Sequence, residues 1–237
     1  MGLLVLKYYF SKVYLIRKKY SEEIMAVLKD VKRIVVKVGT SSLTHSTGKV
    51  NIRQMKKIVT VISDIVNSGI EVALVTSGAI AVGVGKLGLK ERPTTTTGKQ
   101  AVATVRQCEL MFMYDKMFDE YGHTIGQFLI TKRDVDNEES RENLVNAFEK
   151  TFEFGSIPVI NENDVVGIEE IVYGDNDNLS AIVARLINAD ALLILTDIDG
   201  LYDKNPKEDE YARIIPVVEE ITLGLYEIAG GKGSKFG

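Results

Sequence analysis

Arg33-Ile34-Val35-Val36-Lys37-Val38 is a run of mostly β-branched residues that ends at the polar stretch Gly39-Thr40-Ser41-Ser42. An apolar run without regular polar alternation predicts a strand that is buried on both faces. Four more runs of this kind follow along the chain, at 72–76, 124–130, 157–160 and 191–195. We interpret the five runs as the strands of one central sheet.

Helical patterns lie between the predicted strands. The helices are expected over about 51–67, 99–121 and 139–153, after Asp175-Asn176-Asp177-Asn178, and over about 218–229. Because parallel strands need crossover connections of this length, the order of elements predicts an α/β protein with a mostly parallel central sheet. Helices should cover both faces of that sheet, which gives a three-layer αβα arrangement.

The composition limits the classes of protein to consider. The chain has 237 residues, 45% of them apolar, which suits one large α/β domain or at most two small ones. A net charge of −4 argues against nucleic-acid binding, and no apolar run reaches the ~20 residues that span a bilayer. The single cysteine, Cys108, cannot form an internal disulfide, so we expect a reducing, cytoplasmic location and a small buried side chain there.

Residues 1–30 differ from the rest of the chain, because their first part carries Lys7, Lys12, Arg17, Lys18 and Lys19 among Leu, Tyr and Phe. We treat them as an N-terminal extension and residues 31–237 as the main domain. A basic amphipathic surface helix is one interpretation of the extension. The preferred hypothesis is that the native protein starts at Met25, just before the first predicted strand.

Polar residues cluster directly after four of the predicted strands. The clusters are Gly39-Thr40-Ser41, Ser77-Gly78, Asn161-Glu162-Asn163-Asp164 and Thr196-Asp197. In open α/β sheets, ligands bind outside the carboxyl ends of the strands. Each cluster alone could be an ordinary turn, but four at one edge predict a single composite site.

Lys37 is the charged residue inside the first of these strands. An unpaired lysine in a buried strand is costly, so its head group is expected to lie beside an anion. The Gly39-Thr40-Ser41-Ser42 stretch that follows suits either an anion-binding nest of backbone N–H groups or a hairpin turn. The segment alone does not separate these two interpretations.

The acidic and amide run Asp175-Asn176-Asp177-Asn178 precedes a predicted helix. Helix capping explains one or two such residues but not four in succession, and an EF-hand would need glycine where Ser180 stands. Gly83-x-Gly85-x-x-Gly88 matches a dinucleotide fingerprint but lies well past its strand, so we reject it as a cofactor site. His45 and His123 are isolated, and no metal site is predicted from them.

Five segments together are similar to the amino acid kinase family, and in particular to its members that phosphorylate glutamate. They are Val36-Lys37-Val38-Gly39-Thr40-Ser41, Val75-Thr76-Ser77-Gly78-Ala79-Ile80-Ala81, Pro158-Val159-Ile160-Asn161-Glu162-Asn163-Asp164, Gly174-Asp175-Asn176-Asp177-Asn178-Leu179-Ser180-Ala181 and Leu195-Thr196-Asp197. The resemblance runs from about residue 31 to 237. It implies ATP-dependent phosphorylation of the L-glutamate γ-carboxylate with Mg²⁺, the first step of proline biosynthesis.

The same resemblance implies roles for seven side chains. Catalytic roles fall to Lys37 at the ATP phosphates and to Asp177, which would organise the catalytic lysines. The remaining residues would bind glutamate (Ser77, Asp164, Asn176) or the nucleotide (Thr196, Asp197). Members of the family are typically inhibited by proline and form homo-oligomers, whereas neither nucleic acid nor membrane is an expected partner.

The sequence departs from the family pattern after Gly231-Lys232-Gly233-Ser234-Lys235-Phe236-Gly237. The resemblance implies a following Thr-Gly-Gly-Met-x-Thr-Lys segment with a second phosphate-neutralising lysine. We therefore expect a C-terminally truncated chain with impaired activity. Two alternatives stay open: a remnant that binds glutamate, proline or a full-length partner, and an amino acid kinase with another substrate.

Overall fold

The computed structural model describes residues 2–7, 12–16, 30–45, 47, 49–77, 80–167, 176–196, 200–215, 217–218 and 222–225. The strands are β1 Gly2–Lys7, β2 Lys12–Ile16, β3 Arg33–Val38, β4 Glu71–Thr76, β5 Ile125–Ile130, β6 Ile157–Glu162, β7 Ala191–Thr196 and β8 Val217–Val218. The helices are α1 Thr40–Leu43, α2 Ile52–Asn67, α3 Ile80–Lys86, α4 Thr96–Asp119, α5 Lys132–Asp136, α6 Glu138–Glu153 and α7 Asn176–Leu186.

The strands form one sheet in the order β5-β6-β4-β3-β7-β1-β2-β8. The five strands from β5 to β7 are parallel, and β3 lies between β4 and β7 with Ile34 opposite both Val72 and Ala191. The remaining three strands pair antiparallel, β1 against β7 and β2, and β2 against β8. The prediction of an α/β fold with a mostly parallel sheet is confirmed.

Apolar side chains of β3 alternate between two cores, one on each face of the sheet. Val36 packs with Met55 of α2 and Leu110 of α4. On the other face, Val35 packs with helices α6 and α7, which contribute Phe148 and Val183. Because β3 is covered on both sides, a charged residue within it must find a partner at the end of the strand.

Arg33 begins β3 at the edge of the sheet opposite the polar clusters. Its guanidinium binds Glu149 through two hydrogen bonds of 2.6 and 2.9 Å, binds Glu71 at 2.6 Å and lies 4.5 Å from the ring centroid of Phe152. The hydrogen bond from Arg33 lowers the pKa of the Glu149 carboxyl below its ordinary value. These contacts join β3, β4 and α6.

Gly83 has no side chain, and this allows α3 to approach α4 closely. A methyl group added to its Cα would stand 2.6 Å from the carbonyl oxygen of Val102 and 3.2 Å from Cβ of Arg106. No real side chain tolerates such a contact with backbone, so glycine is needed for packing here. Within the pattern rejected as a cofactor site, Gly83 thus has a structural role.

Several expectations about individual segments are wrong. The hairpin interpretation of 39–42 fails, because Gly39 is followed directly by the short helix α1. The helix expected over about 218–229 does not begin at 218, because Val217–Val218 is a strand, although residues 223–225 are helical. Helices α3 and α5 were not predicted. The surface-helix interpretation of the N-terminus fails for residues 2–7 and 12–16, which are strands.

Cys108 is also placed differently from the expectation of a small buried side chain. It is exposed on α4, as is Phe112 one turn later, which has 60% of its surface accessible. Met25 lies outside the described residues, and the domain boundary at residue 30 stays a prediction. Among the helices described, none is both long and apolar enough to cross a membrane.

Candidate functional site at the carboxyl edge of the sheet

Lys37 and Asp177 form an ion pair at the carboxyl end of β3. Lys37 is 7% exposed, and its Nζ lies 2.5 Å from Oδ1 of Asp177 in the first turn of α7. Gly39 leaves room for this ammonium group, since an added Cβ would stand 3.3 Å from Nζ. The prediction that the buried lysine has an anionic neighbour is confirmed.

Asn176, the residue before Asp177, joins two strands of the sheet to α7. Its Nδ2 donates to the carbonyl oxygen of Thr76 at 2.9 Å, to Oγ of Ser77 at 2.9 Å and to Oδ1 of Asn161 at 3.1 Å. Asn161 and Asn176 are 2% and 8% exposed. This network ties β4 and β6 to the start of α7, so the ends of three elements are held in one place.

A backbone hydrogen bond determines which end of the Asn161 side-chain amide is the oxygen and which is the nitrogen. The N–H of Glu162 can only donate, and it bonds Oδ1 of Asn161 at 2.9 Å. The amide nitrogen of Asn161 must then point the other way, and it donates to Oε1 of Gln107 on α4 at 2.8 Å. Nε2 of Gln107 is left as a buried donor with no hydrogen-bond partner among the described residues.

Arg106, the neighbour of Gln107 on α4, binds the carboxylate of Asp164 through Nη2. The arginine side chain is 8% exposed and the aspartate side chain 36%. Both line a small cavity with Gln107 and Asn163, beside the turn that follows β6. The carboxylate expected to bind substrate therefore already has a cationic partner.

Thr76 is the last residue of β4, and its hydroxyl contacts Tyr114 of α4, which lies on the face of the sheet opposite α7. The two hydroxyl oxygens are 2.9 Å apart, and both side chains are fully buried. Burial raises the pKa of the Tyr114 hydroxyl well above its ordinary value. Tyr114 is therefore a neutral group that fixes the strand end next to Ser77.

The structure brings most of the predicted site residues to one edge of the sheet. Lys37 and Asp177 touch, as do Ser77 and Asn176, while Asp164 is linked to them through Arg106, Gln107 and Asn161. Thr196 ends β7 at the same edge, one residue past the Val38–Leu195 pair. Asp197, Gly174, Asp175 and the C-terminal stretch 231–237 lie outside the described residues.

Arg106 and Gln107 were not predicted as site residues. A signal was present, because Val102, Arg106, Leu110 and Tyr114 recur every four residues and so share one helix face. An arginine in an apolar stripe needs a buried partner, and that partner is Asp164.

No three acidic, histidine or cysteine side chains of the described residues cluster in a way that could hold a metal ion. A cation at this edge would find the Asp177 carboxylate, which Lys37 already contacts. Mg²⁺ is commonly held by one or two carboxylates together with substrate phosphates and water. The donor set fits a Mg²⁺ ion that arrives with a nucleotide better than a resident one.

Comparisons with known proteins agree with this arrangement. The family model described as Amino acid kinase family matches residues 32–234. Glutamate 5-kinase of Clostridium perfringens is 53% identical over 214 residues, covering 89% of this chain and 80% of that protein. Glutamate 5-kinase of Listeria innocua is 51% identical over 214 residues, covering 89% and 78%.

A solved structure supports the fold. The isopentenyl phosphate kinase product complex of T. acidophilum has a TM-score of 0.51 at 20% identity, over 76% of this chain and 77% of that one. The family model matches most of the chain, and two curated relatives share about half of the aligned residues. The chain belongs to the amino acid kinase family.

Proposed function

We propose that the protein transfers the γ-phosphoryl group of ATP to the γ-carboxylate of L-glutamate, as the first step of proline biosynthesis. The similarity to two glutamate 5-kinases supports this substrate. The observation that carries the proposal is the first turn of α7, where Asn176 bonds Ser77 and the adjacent Asp177 pairs with Lys37. One turn of helix thus joins a polar pocket to a buried cation.

The pocket side binds glutamate in this proposal. Ser77, Asn176 and Asp164 supply a hydroxyl, an amide and a carboxylate, which suit the carboxylate and ammonium groups of an amino acid. Asn161 holds Asn176 in place through the 3.1 Å hydrogen bond to its amide. The substrate would therefore meet side chains whose orientation is already set.

The phosphoryl side is served by Lys37, with Thr196 and Asp197 toward the nucleotide. The γ-carboxylate of glutamate has an ordinary pKa of about 4.3, so it is ionised at neutral pH and needs no general base. The obstacle is the approach of one anion to another. Lys37 would neutralise charge on the phosphate oxygens, and Asp177 would orient Lys37 without acting as a base.

Mg²⁺ is part of the proposal as a partner of ATP. Bound to the phosphates, it would neutralise their negative charge and polarise the transferring group. Asp177 is the carboxylate in contact with Lys37, and it would face the Mg²⁺ ion. The chain's own contribution is the fixed position of that carboxylate on α7.

A cytoplasmic location, inhibition by proline and a homo-oligomeric state complete the proposal. The single cysteine suits a reducing compartment. Phe112 on α4, 60% exposed, is an apolar group that an interface between copies would cover. Light scattering would test the oligomer, and the rate of ADP release with and without proline would test the inhibitor.

A coupled assay of ADP release tests the reaction. Glutamate should release ADP and form an acyl phosphate that hydroxylamine traps, whereas aspartate and N-acetylglutamate should not. Glutamate binding without ADP release would overturn phosphoryl transfer and support a remnant that only binds ligands. Release with another amino acid would instead point to a different member of the family.

Two lysine variants form a matched pair for this assay. Lys37→Met removes the buried cation and should abolish ADP release. Lys56→Met removes a cation that is 53% exposed and paired with Glu120 away from the site, and it should leave the rate unchanged. Equal rates in the two variants would remove Lys37 from the mechanism.

A further inference from the structure

Arg106 is a buried cation in direct contact with Asp164, the carboxylate proposed to receive the substrate ammonium group. The Arg106 side chain is 8% exposed, and α3 packs so closely over it that a Cβ added at Gly83 would stand 3.2 Å from Cβ of Arg106. The packing of α3 against α4 therefore encloses Arg106 beside Asp164. Such a position is unusual for arginine, which is rarely this buried without a role for its charge.

The charges of the site pair off before any ligand arrives. Lys37 contacts Asp177, and Arg106 contacts Asp164. Arg106 contacts Oδ2 of Asp164 through Nη2, and 36% of the aspartate side chain remains exposed. A ligand can therefore still reach Asp164, but it meets a carboxylate whose charge is largely offset by the guanidinium.

We propose that Arg106 is a specificity-determining residue that acts through Asp164, and that it weakens the preference of the site for ligands that carry an ammonium group. The inference rests on the proposed function, in which Asp164 receives that ammonium. A bare carboxylate attracts a cation strongly and repels carboxylates. A carboxylate paired with arginine does neither to the same extent.

The ligand class that this site tolerates follows from the same charges. A five-carbon dicarboxylate without an amino group would lose less affinity here than in a site with an unpaired aspartate. Gln107 of α4 also lines this cavity, and its buried amide nitrogen is a donor with no hydrogen-bond partner among the described residues. Arg106 and Gln107 thus give this cavity two side chains with N–H donors beside the Asp164 carboxylate, and such donors suit a carboxylate-bearing ligand.

Glutamate and glutarate are the probes, since they differ only in the ammonium group. Calorimetric titration of the full chain gives the ratio of their dissociation constants. Arg106→Met preserves volume and removes the charge, and it should raise the preference for glutamate over glutarate by about three- to tenfold. Arg106→Lys keeps the charge and should leave the ratio within about twofold of the original.

Lys86→Met is the matched control. Lys86 pairs with Glu109 on the same two helices but is 60% exposed and does not line the cavity. Its removal should not change the ratio. Urea unfolding of each variant identifies loss of folding. If Arg106→Met does not fold, Arg106→Lys decides, because this variant keeps the charge. A changed ratio of dissociation constants in folded Arg106→Lys would exclude a charge effect.

The outcomes separate this inference from the proposed function. An unchanged or lower ratio in folded Arg106→Met, with glutamate still bound, overturns the inference alone. Failure of both ligands to bind the original chain and every variant overturns the proposed glutamate site, and the inference with it. A raised ratio in Arg106→Met and an unchanged ratio in Arg106→Lys and Lys86→Met supports both.

Discussion

Replacing Asp177 by asparagine removes one negative charge and almost no volume from the site. The side chain that loses its counter-ion is Lys37, which is 7% exposed and only 2.5 Å from the carboxylate. The amide of asparagine can still accept a hydrogen bond from the ammonium group. The variant therefore isolates the charge of Asp177 from its shape.

The size of the effect follows from the distance and the burial. At 2.5 Å and an effective dielectric constant of about 20, two unit charges attract each other by about 6–7 kcal/mol. Asp177 is 43% exposed, so water screens part of this attraction. We expect a net loss of about 1–3 kcal/mol in unfolding free energy, and a turnover reduced about a hundredfold, which corresponds to about 2.7 kcal/mol of barrier.

The assay measures turnover and the glutamate KM in parallel with urea unfolding. Because Asn176, Ser77 and Asp164 keep their contacts, the glutamate KM should stay within about twofold of the original. Turnover close to that of the original chain would refute the orienting role of Asp177. A KM raised in proportion to the fall in turnover would place Asp177 in the glutamate pocket instead.

Three further changes test the fold around the site. Gly83→Ala should lower the unfolding free energy by about 1–3 kcal/mol, because its methyl group would meet a backbone carbonyl of α4; an unchanged urea midpoint would contradict this packing. Tyr114→Phe leaves the buried hydroxyl of Thr76 without its 2.9 Å partner and should cost about 1–2 kcal/mol in thermal unfolding, with an unshifted midpoint as the opposing result. Arg33→Met removes the cation that lowers the pKa of Glu149. In the original chain the Arg33–Glu149 pair stabilises the fold above the ordinary pKa of 4.5, and this stabilisation is lost as the pH falls through the lower folded-state pKa. Urea unfolding should therefore show a gap of about 1 kcal/mol between original and variant at neutral pH that closes in acid, whereas a gap independent of pH would exclude the Glu149 contribution.

The parallel strands could be predicted from the sequence because burial on both faces leaves continuous apolar runs. Val35 and Val36 face opposite cores, and so neither position admits a polar residue. Lys37 breaks this rule, and the cost of burying its charge predicted the anion that Asp177 supplies. The local sequence around Lys37 and the free-energy cost of burying a charge are enough to predict this neighbour.

The orientation of helix α4 against the sheet could not be predicted from the sequence. Its apolar residues lie on more than one side, with Leu110 buried and Phe112 exposed. The pattern therefore does not identify which face meets the sheet, and it predicts a buried Cys108 where the structure has an exposed one. The contact of Arg106 with Asp164 joins residues far apart in sequence, so it depends on how α4 packs rather than on any local pattern.

The central position of β3 between β4 and β7 has a consequence for how the protein folds during synthesis. β3 can pair with β4 early, but its other edge stays open until β7 leaves the ribosome much later. Lys37 likewise meets Asp177 only after α7 has been made. The nascent chain therefore carries an unpaired apolar strand edge for most of its synthesis. We expect non-local closure of this edge to limit the folding rate, so substitutions that weaken the β3–β7 pair should lower the yield of folded protein more than its final stability.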